Sequence, residues 1–142
     1  MPDNFSLIIK NGFCYIDGKL QKTDIALLND KIKKIGSISL NSSKVFDATN
    51  KIILPGIIDT QVHFREPGST DAEDLESGSR AAVLGGVTSV FEMPNTNPPT
   101  SNQIEFNKKL NLAKNRMFSN YAFYFGATPQ NMEDLQKVDK LE

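Results

Sequence analysis

The chain contains 142 residues, of which 39% are hydrophobic and 23% charged, and its formal net charge is −1. This composition is typical of a soluble globular protein. The net charge near zero does not indicate a nucleic-acid partner. The sequence has no apolar run of ~18 residues, so no membrane span is predicted. The N-terminus lacks a signal-peptide pattern and the chain has a single cysteine, Cys14, which together favour a cytoplasmic location and a thiol buried in a strand.

Residues 1–54 form the first predicted domain. Short apolar segments alternate here with turn dipeptides such as Asn11-Gly12 and Asp17-Gly18, which are typical of β-hairpins. The predicted strands span 7–10, 13–16, 25–28, 31–36, 45–48 and 52–54. Short strands joined by tight turns predict a small antiparallel sheet or sandwich.

Residues 55–142 form the second predicted domain, in which strands alternate with helices. A buried strand is predicted over 56–63, and two further strands are predicted over 87–92 and 121–125. The alternation predicts a parallel sheet built from three βα units. A closed (β/α)8 barrel needs eight such units, so the pattern fits either an incomplete barrel or a small open α/β sheet.

Capping patterns predict where the helices of this second domain begin. Thr70 and Glu73 have capping-box spacing before a helix over residues 71–84, and Thr100 and Gln103 repeat that spacing before the next helix. Pro129 suits the first turn of a third helix. The second helix is predicted to carry one apolar face, formed by Phe106, Leu110, Ala113 and Met117.

Polar side chains alternate along the strand predicted over 56–63. Asp59, Gln61, His63 and Arg65 are spaced by two, so an extended chain points them to one face, at the carboxyl end where parallel α/β folds bind ligands. His63 is the only histidine and could be a metal ligand or an ordinary structural residue. Arg65 suits bidentate binding of a carboxylate, or it could pair with Glu66 or with another acidic residue at the barrel rim.

A second polar cluster follows the next predicted strand. Residues 92–99 contain two asparagines and three prolines, which predict a rigid polar loop at the same sheet edge as His63. An ordinary proline-rich turn is the alternative interpretation.

Three segments of the chain resemble the dihydroorotases and their cyclic-amidohydrolase relatives. They are residues 54–68 (LPGIIDTQVHFREPG), 81–88 (AAVLGGVT) and 93–98 (MPNTNP). The resemblance extends over essentially the whole chain. It implies that residues 1–54 are the N-terminal strands of a flanking β-sandwich, and that residues 55–142 are the first three βα units of an incomplete amidohydrolase-type TIM barrel.

The resemblance also implies roles for individual residues. His63 would bind the first zinc, Arg65 with Asn95 would hold the carboxylate of dihydroorotate, and Asp59 would support the metal from the second shell. Phe64 is expected to join His63, Arg65 and Asn95 in binding substrate. Gln61 stands where the family has its other metal-binding histidine, and a neutral amide is a weaker zinc ligand than imidazole.

The catalytic residues of the family are expected beyond Glu142. Later strands of the family carry its bridging modified lysine, its other histidines and its catalytic aspartate. In the family a metal-bound hydroxide attacks the carbonyl of the cyclic amide. The function expected from the resemblance is therefore dihydroorotase-like interconversion of dihydroorotate and carbamoyl aspartate in pyrimidine biosynthesis, and this chain is expected to hold only part of the machinery for it.

Two other functions stay open at this point. One is a non-catalytic truncated remnant, or a half-barrel that needs a complementing chain or a homo-oligomer. The other is allantoinase or dihydropyrimidinase chemistry within the same superfamily. Three βα units also leave a strand edge open, which predicts that the isolated chain is aggregation-prone, oligomeric or partly ordered.

Overall fold

The computed structural model describes residues 5–39, 42 and 44–138. The chain divides into two compact units, Met1–Pro55 and Gly56–Glu142. None of the helices in the described ranges is long and apolar enough to cross a membrane.

The first unit is a five-stranded sheet. Its strands are β1 (Leu7–Ile16), β2 (Lys19–Leu28), β3 (Lys31–Gly36), β4 (Val45–Asp47) and β5 (Ile52–Ile53). The order is β3-β2-β1-β4, with β5 also paired to β1. The first three strands are antiparallel, whereas β4 and β5 run parallel to β1. The sheet is therefore mixed rather than purely antiparallel.

Of two hairpin turns predicted in this unit, one is present and the other is not. Asp17-Gly18 connects β1 to β2, and both residues have positive φ angles, 49° and 77°, as the hairpin prediction requires. Asn11-Gly12 is not a turn, because β1 continues through it. The β1–β2 register shifts between Ile9 and Gly12, and Asn11 has a φ of 66°, so the dipeptide forms a β-bulge.

The core of the first unit lies under β1 and β2. Phe5, Ile8, Ala26 and Ile38 form a buried cluster. Cys14 is buried as predicted, and this burial raises the pKa of its thiol. The lysines of β3 are exposed, which agrees with a solvated strand face.

The second unit contains a parallel sheet in the order β6-β7-β8. Its elements are β6 (Ile57–Val62), α1 (Leu75–Leu84), β7 (Val87–Glu92), α2 (Gln103–Ala113), β8 (Asn120–Phe123) and α3 (Met132–Val138). The three predicted βα units are thus present. The prediction that β6 is buried is wrong: Ile57 and Ile58 are 52% and 60% exposed. In the described residues β6 is an edge strand that pairs only with β7.

All three helices begin later than the capping patterns predicted. Asp74, not Thr70, is the N-cap of α1, and it forms a capping box with Ser77 instead of Glu73. Asn102, not Thr100, caps α2 by accepting the N–H of Glu105. The helix α3 begins at Met132, so Pro129 precedes its first turn. Both caps are local, because Asp74 and Asn102 each accept the N–H of the residue three positions later. Each predicted start offered more than one residue able to cap, and the Thr70–Glu73 and Thr100–Gln103 spacings did not select the one used.

Packing of the second unit centres on Phe64, Leu75, Val90 and Ala113. Phe64 is only 5% exposed, and its ring lies so close to Gly78 of α1 that a Cβ there would overlap it. The predicted substrate-binding role of Phe64 is therefore not supported for its side chain, which faces the core.

The buried face of α2 also differs from the prediction. Ala113 is buried and Phe106 and Met117 are partly buried, but Leu110 is 38% exposed. Lys109 takes the inner position instead, at 1% exposure. A lysine at the centre of a helix's buried face needs an internal partner, and the partner is described below.

Candidate functional site at the carboxyl ends of β6 and β7

Two polar loops meet at the carboxyl ends of β6 and β7. The backbone N–H of Met93 donates to the carbonyl of Val62 at 3.0 Å, and the N–H of Asn97 donates to the carbonyl of Pro67 at 3.1 Å. Gly68 has a φ of 109° and lies against Asn97, where a Cβ would overlap the asparagine backbone. The two loops are therefore held together along their length by backbone contacts.

The structure brings His63 and Asn95 together across these loops. The Nδ1 atom of His63 lies 2.9 Å from the Oδ1 atom of Asn95. Because a carbonyl oxygen can only accept, Nδ1 carries the hydrogen and donates it. The imidazole is thereby held as the Nδ1–H tautomer, which leaves the lone pair of Nε2 free, as a metal ligand requires.

Asp59 and Gln61 lie earlier on β6 and are exposed. The Oδ1 atom of Asp59 accepts the backbone N–H of Gln61 at 2.9 Å, which is a local contact within the strand. Within residues 5–39, 42 and 44–138, there is no group of three or more His, Cys, Asp or Glu residues that could hold a metal ion. His63 with Gln61 and Asp59 is thus at most a partial ligand set.

Arg65 is exposed and has a φ of 61°, a left-handed conformation that is uncommon for a side chain of this size. None of the ion pairs among the described residues involves Arg65. The alternative that Arg65 pairs with Glu66 is wrong, because Glu66 binds Arg116 instead, at 2.8 Å. In the described part of the chain the Arg65 guanidinium is available to an anion.

A buried ion pair behind the loops was not identified from the sequence. Glu92, the last residue of β7, pairs with Lys109 of α2, and both side chains are 1% exposed. Burial raises the pKa of Glu92 and lowers that of Lys109, and the pairing opposes both shifts. His63 and the backbone N–H of Phe64 also act to lower the pKa of Glu92, which places this carboxylate beside the segment that carries His63. A sequence signal existed, because Lys109 lies between Phe106 and Ala113 at helical spacing.

Comparison with known proteins identifies relatives along the whole chain. Residues 52–141 match the Amidohydrolase family. A dihydroorotase of Methanosarcina mazei is 40% identical over 143 residues, covering 99% of this chain and 30% of the relative. A dihydroorotase of Lactobacillus helveticus is 48% identical over 91 residues, covering 64% of this chain and 21% of the relative.

A solved structure shows the same fold. The L-hydantoinase (dihydropyrimidinase) from Arthrobacter aurescens superposes with a TM-score of 0.88 at 28% identity, over 96% of this chain and 31% of that protein. The fold of this chain therefore corresponds to part of an amidohydrolase, with flanking β-sandwich strands and the first units of a TIM barrel. The chain spans less than a third of the length of each of these three proteins.

Proposed function

This chain belongs to the amidohydrolase family. We propose that it supplies two parts of the active site of a dihydroorotase-like hydrolase: the residues that bind the carboxylate of the substrate, and the first metal ligand. In this proposal residues 1–54 are the sandwich segment and residues 55–142 are the first three βα units of the barrel. The activity is the reversible opening of the cyclic amide of dihydroorotate to carbamoyl aspartate in the cytoplasm. The observation that carries the proposal is the His63–Asn95 hydrogen bond, at 2.9 Å, with the exposed Arg65 two residues further along.

The chemistry of these three side chains favours a substrate that bears a carboxylate. The Oδ1 atom of Asn95 is used by His63, so its Nδ2 group keeps two N–H donors for a ligand. Arg65 offers a planar fork of donors, which matches the two oxygens of a carboxylate. An arginine and an amide N–H at one sheet edge suit dihydroorotate better than a cyclic amide without an acidic group.

His63 and Gln61 are proposed as part of a metal-ligand set, not as a complete metal site. Catalytic zinc sites use three protein ligands and an open position, whereas the described residues offer one imidazole, His63, and the weaker amide of Gln61. These residues do not fit a complete zinc site, and no step of the reaction is assigned to them. We therefore propose that the 142-residue chain is inactive alone, and that the remaining ligands come from further strands, from a complementing chain or from a second copy.

The fold similarity to a hydantoinase favours a second candidate, an allantoinase- or dihydropyrimidinase-type cyclic amidohydrolase. The two candidates differ in whether the substrate carries a carboxylate. Dihydrouracil is the same ring as dihydroorotate without that group, so the two compounds form a matched pair of ligands.

Ligand binding to the 142-residue chain tests the proposal. Saturation-transfer NMR should show binding of dihydroorotate but not of dihydrouracil, and Arg65→Met should abolish the difference. Arg80→Met is the matched control, because Arg80 is an exposed residue of α1 and pairs with Glu76. Equal binding of the two ligands by the wild-type chain would overturn the dihydroorotate assignment and favour the second candidate. An unchanged preference in Arg65→Met would overturn the role of Arg65 as the carboxylate-binding residue.

A further inference from the structure

Lys109 of α2 is held by acceptors at three positions around its ammonium group. It forms the ion pair with Glu92, and its Nζ atom donates to the carbonyl of Met93 at 3.2 Å and to Oγ1 of Thr100 at 3.4 Å. The ring of Phe123 lies 5.2 Å from Nζ. Within the described residues this buried ammonium group therefore makes two hydrogen bonds and one ion pair.

These acceptors lie at both ends of the loop that carries Asn95. Glu92 ends β7, Met93 begins the loop, and Thr100 ends it. The loop is also closed by its backbone, because the N–H of Thr100 donates to the carbonyl of Pro94 at 2.9 Å. Lys109 therefore joins the two ends of the loop, and Asn95 projects from between them toward His63.

Burying an ion pair between two elements costs desolvation free energy for both charges. Well-packed apolar residues of similar size commonly stabilise a fold as well as a buried ion pair or better, so stability alone does not explain Glu92 and Lys109. Directional contacts provide something that an apolar pair lacks, since they specify where the ends of the loop lie. Asn95 is the side chain of this loop that hydrogen-bonds to His63, the residue after β6.

We propose that Glu92 and Lys109 are positioning residues that hold the Met93–Thr100 loop so that Asn95 fixes His63 as the Nδ1–H tautomer. Neither residue touches substrate or metal in this role. They act through Asn95, whose Oδ1 atom selects which ring nitrogen of His63 carries the hydrogen. The value of this tautomer for metal binding rests on the proposed function, but the positioning itself is independent of any ligand.

The tautomer can be measured directly, because His63 is the only histidine of the chain. Solid-state NMR of the chain labelled with 13C,15N-histidine distinguishes the two ring nitrogens and works whatever the oligomeric state. At about pH 9 an unperturbed imidazole is neutral, so the spectrum reports the tautomer rather than the charge. Wild type should show a single Nδ1–H form, and Asn95→Ala should give the mixture expected of an unconstrained ring.

Removing the pair should have the same effect as removing Asn95. Lys109→Met is expected to lose the single Nδ1–H signal. The double variant Glu92→Gln/Lys109→Met is expected to lose it too. The double variant leaves no unpaired buried charge, so it should keep the fold even if Lys109→Met alone does not. Lys108→Met is the matched control, since Lys108 is the adjacent lysine of α2 and its side chain is 62% exposed. It should keep the wild-type signal.

Circular dichroism shows whether each variant is folded. If Lys109→Met or the double variant is folded and still gives the single Nδ1–H form, the proposal is overturned. The outcome is separable from that of the proposed function, because no substrate is present. A confirmed tautomer effect together with equal binding of dihydroorotate and dihydrouracil would leave the positioning role intact and remove only the substrate assignment.

Discussion

Glu66 accepts hydrogen bonds from both terminal nitrogens of Arg116, at 2.8 and 3.1 Å, and its Oε2 atom also accepts the backbone N–H of Leu75 at 2.9 Å. One buried carboxylate thus joins the loop after β6, the first residue of α1 and the segment after α2. This arrangement anchors the residue next to Arg65 and leaves Arg65 itself exposed at the sheet edge.

We expect Glu66→Ala to lower the free energy of unfolding by about 2–4 kcal/mol, because it removes a charged hydrogen-bonded pair and an acceptor for a free helical N–H. Urea unfolding at a fixed chain concentration measures the loss. Glu76→Ala is the control: it breaks the exposed pair with Arg80 and should cost about 0.5 kcal/mol or less. Similar losses in the two variants would show that the Glu66 contacts do not stabilise the fold as described.

The cap of α1 should make the stability of the chain depend on acid. Hydrogen bonds from the backbone N–H and side chain of Ser77 lower the pKa of Asp74 below its ordinary value of 3.8. A carboxyl whose pKa is lower in the folded state stabilises the fold fully above the unfolded pKa, and this contribution is lost as the pH falls through the folded pKa.

Asp74→Asn keeps a capping acceptor but cannot titrate. The urea midpoint of wild type should therefore fall more steeply than that of Asp74→Asn as the pH drops below 3.8. Glu73→Gln, which changes the residue of the incorrect capping-box prediction, should follow the wild-type curve. Parallel curves for wild type and Asp74→Asn would contradict the assignment of Asp74 as the cap.

Replacing Gln61 by histidine should strengthen metal binding. The variant places one imidazole on β6 and leaves the other, His63, just after the strand, at the alternate spacing of the family signature. Imidazole is a better zinc ligand than a neutral amide. Titration with Co²⁺ after dialysis against metal-free buffer should give a lower dissociation constant for Gln61→His than for wild type. The same gain in Gln61→His/His63→Ala would show that His63 is not the second ligand.

The exposed strand β6 predicts self-association. It is an edge of the three-stranded sheet, and Ile57 and Ile58 expose apolar surface along it. Sedimentation velocity should find the chain oligomeric at micromolar concentration, and Ile58→Lys should shift it toward monomer, because a charge on an edge strand opposes strand pairing. A dilute wild-type monomer with a sharp, reversible unfolding transition would contradict this expectation.

Local sequence patterns determined several parts of this structure. The strand Val87–Glu92 has the bounds predicted for it, because a glycine precedes this apolar run and a proline-rich loop follows it. The Asp17-Gly18 hairpin follows from residues that tolerate positive φ. The alternation of polar residues along β6 placed His63 at the strand end, where the structure has it. Each of these features depends on neighbours in the sequence.

Only the tertiary structure decided the contacts that organise the candidate site. Glu66 and Arg116 are 50 positions apart, and His63 and Asn95 are 32 apart, so no local pattern pairs them. The start of α1 was predicted incorrectly, and so was the place of Leu110 on the buried face of α2, where Lys109 takes the inner position. The cap of α1 is local, but the N–H of Leu75 also donates to Glu66, nine positions earlier. A charged side chain is buried where a partner from another element meets it, as Glu92 meets Lys109, and this condition is met only when the chain has folded.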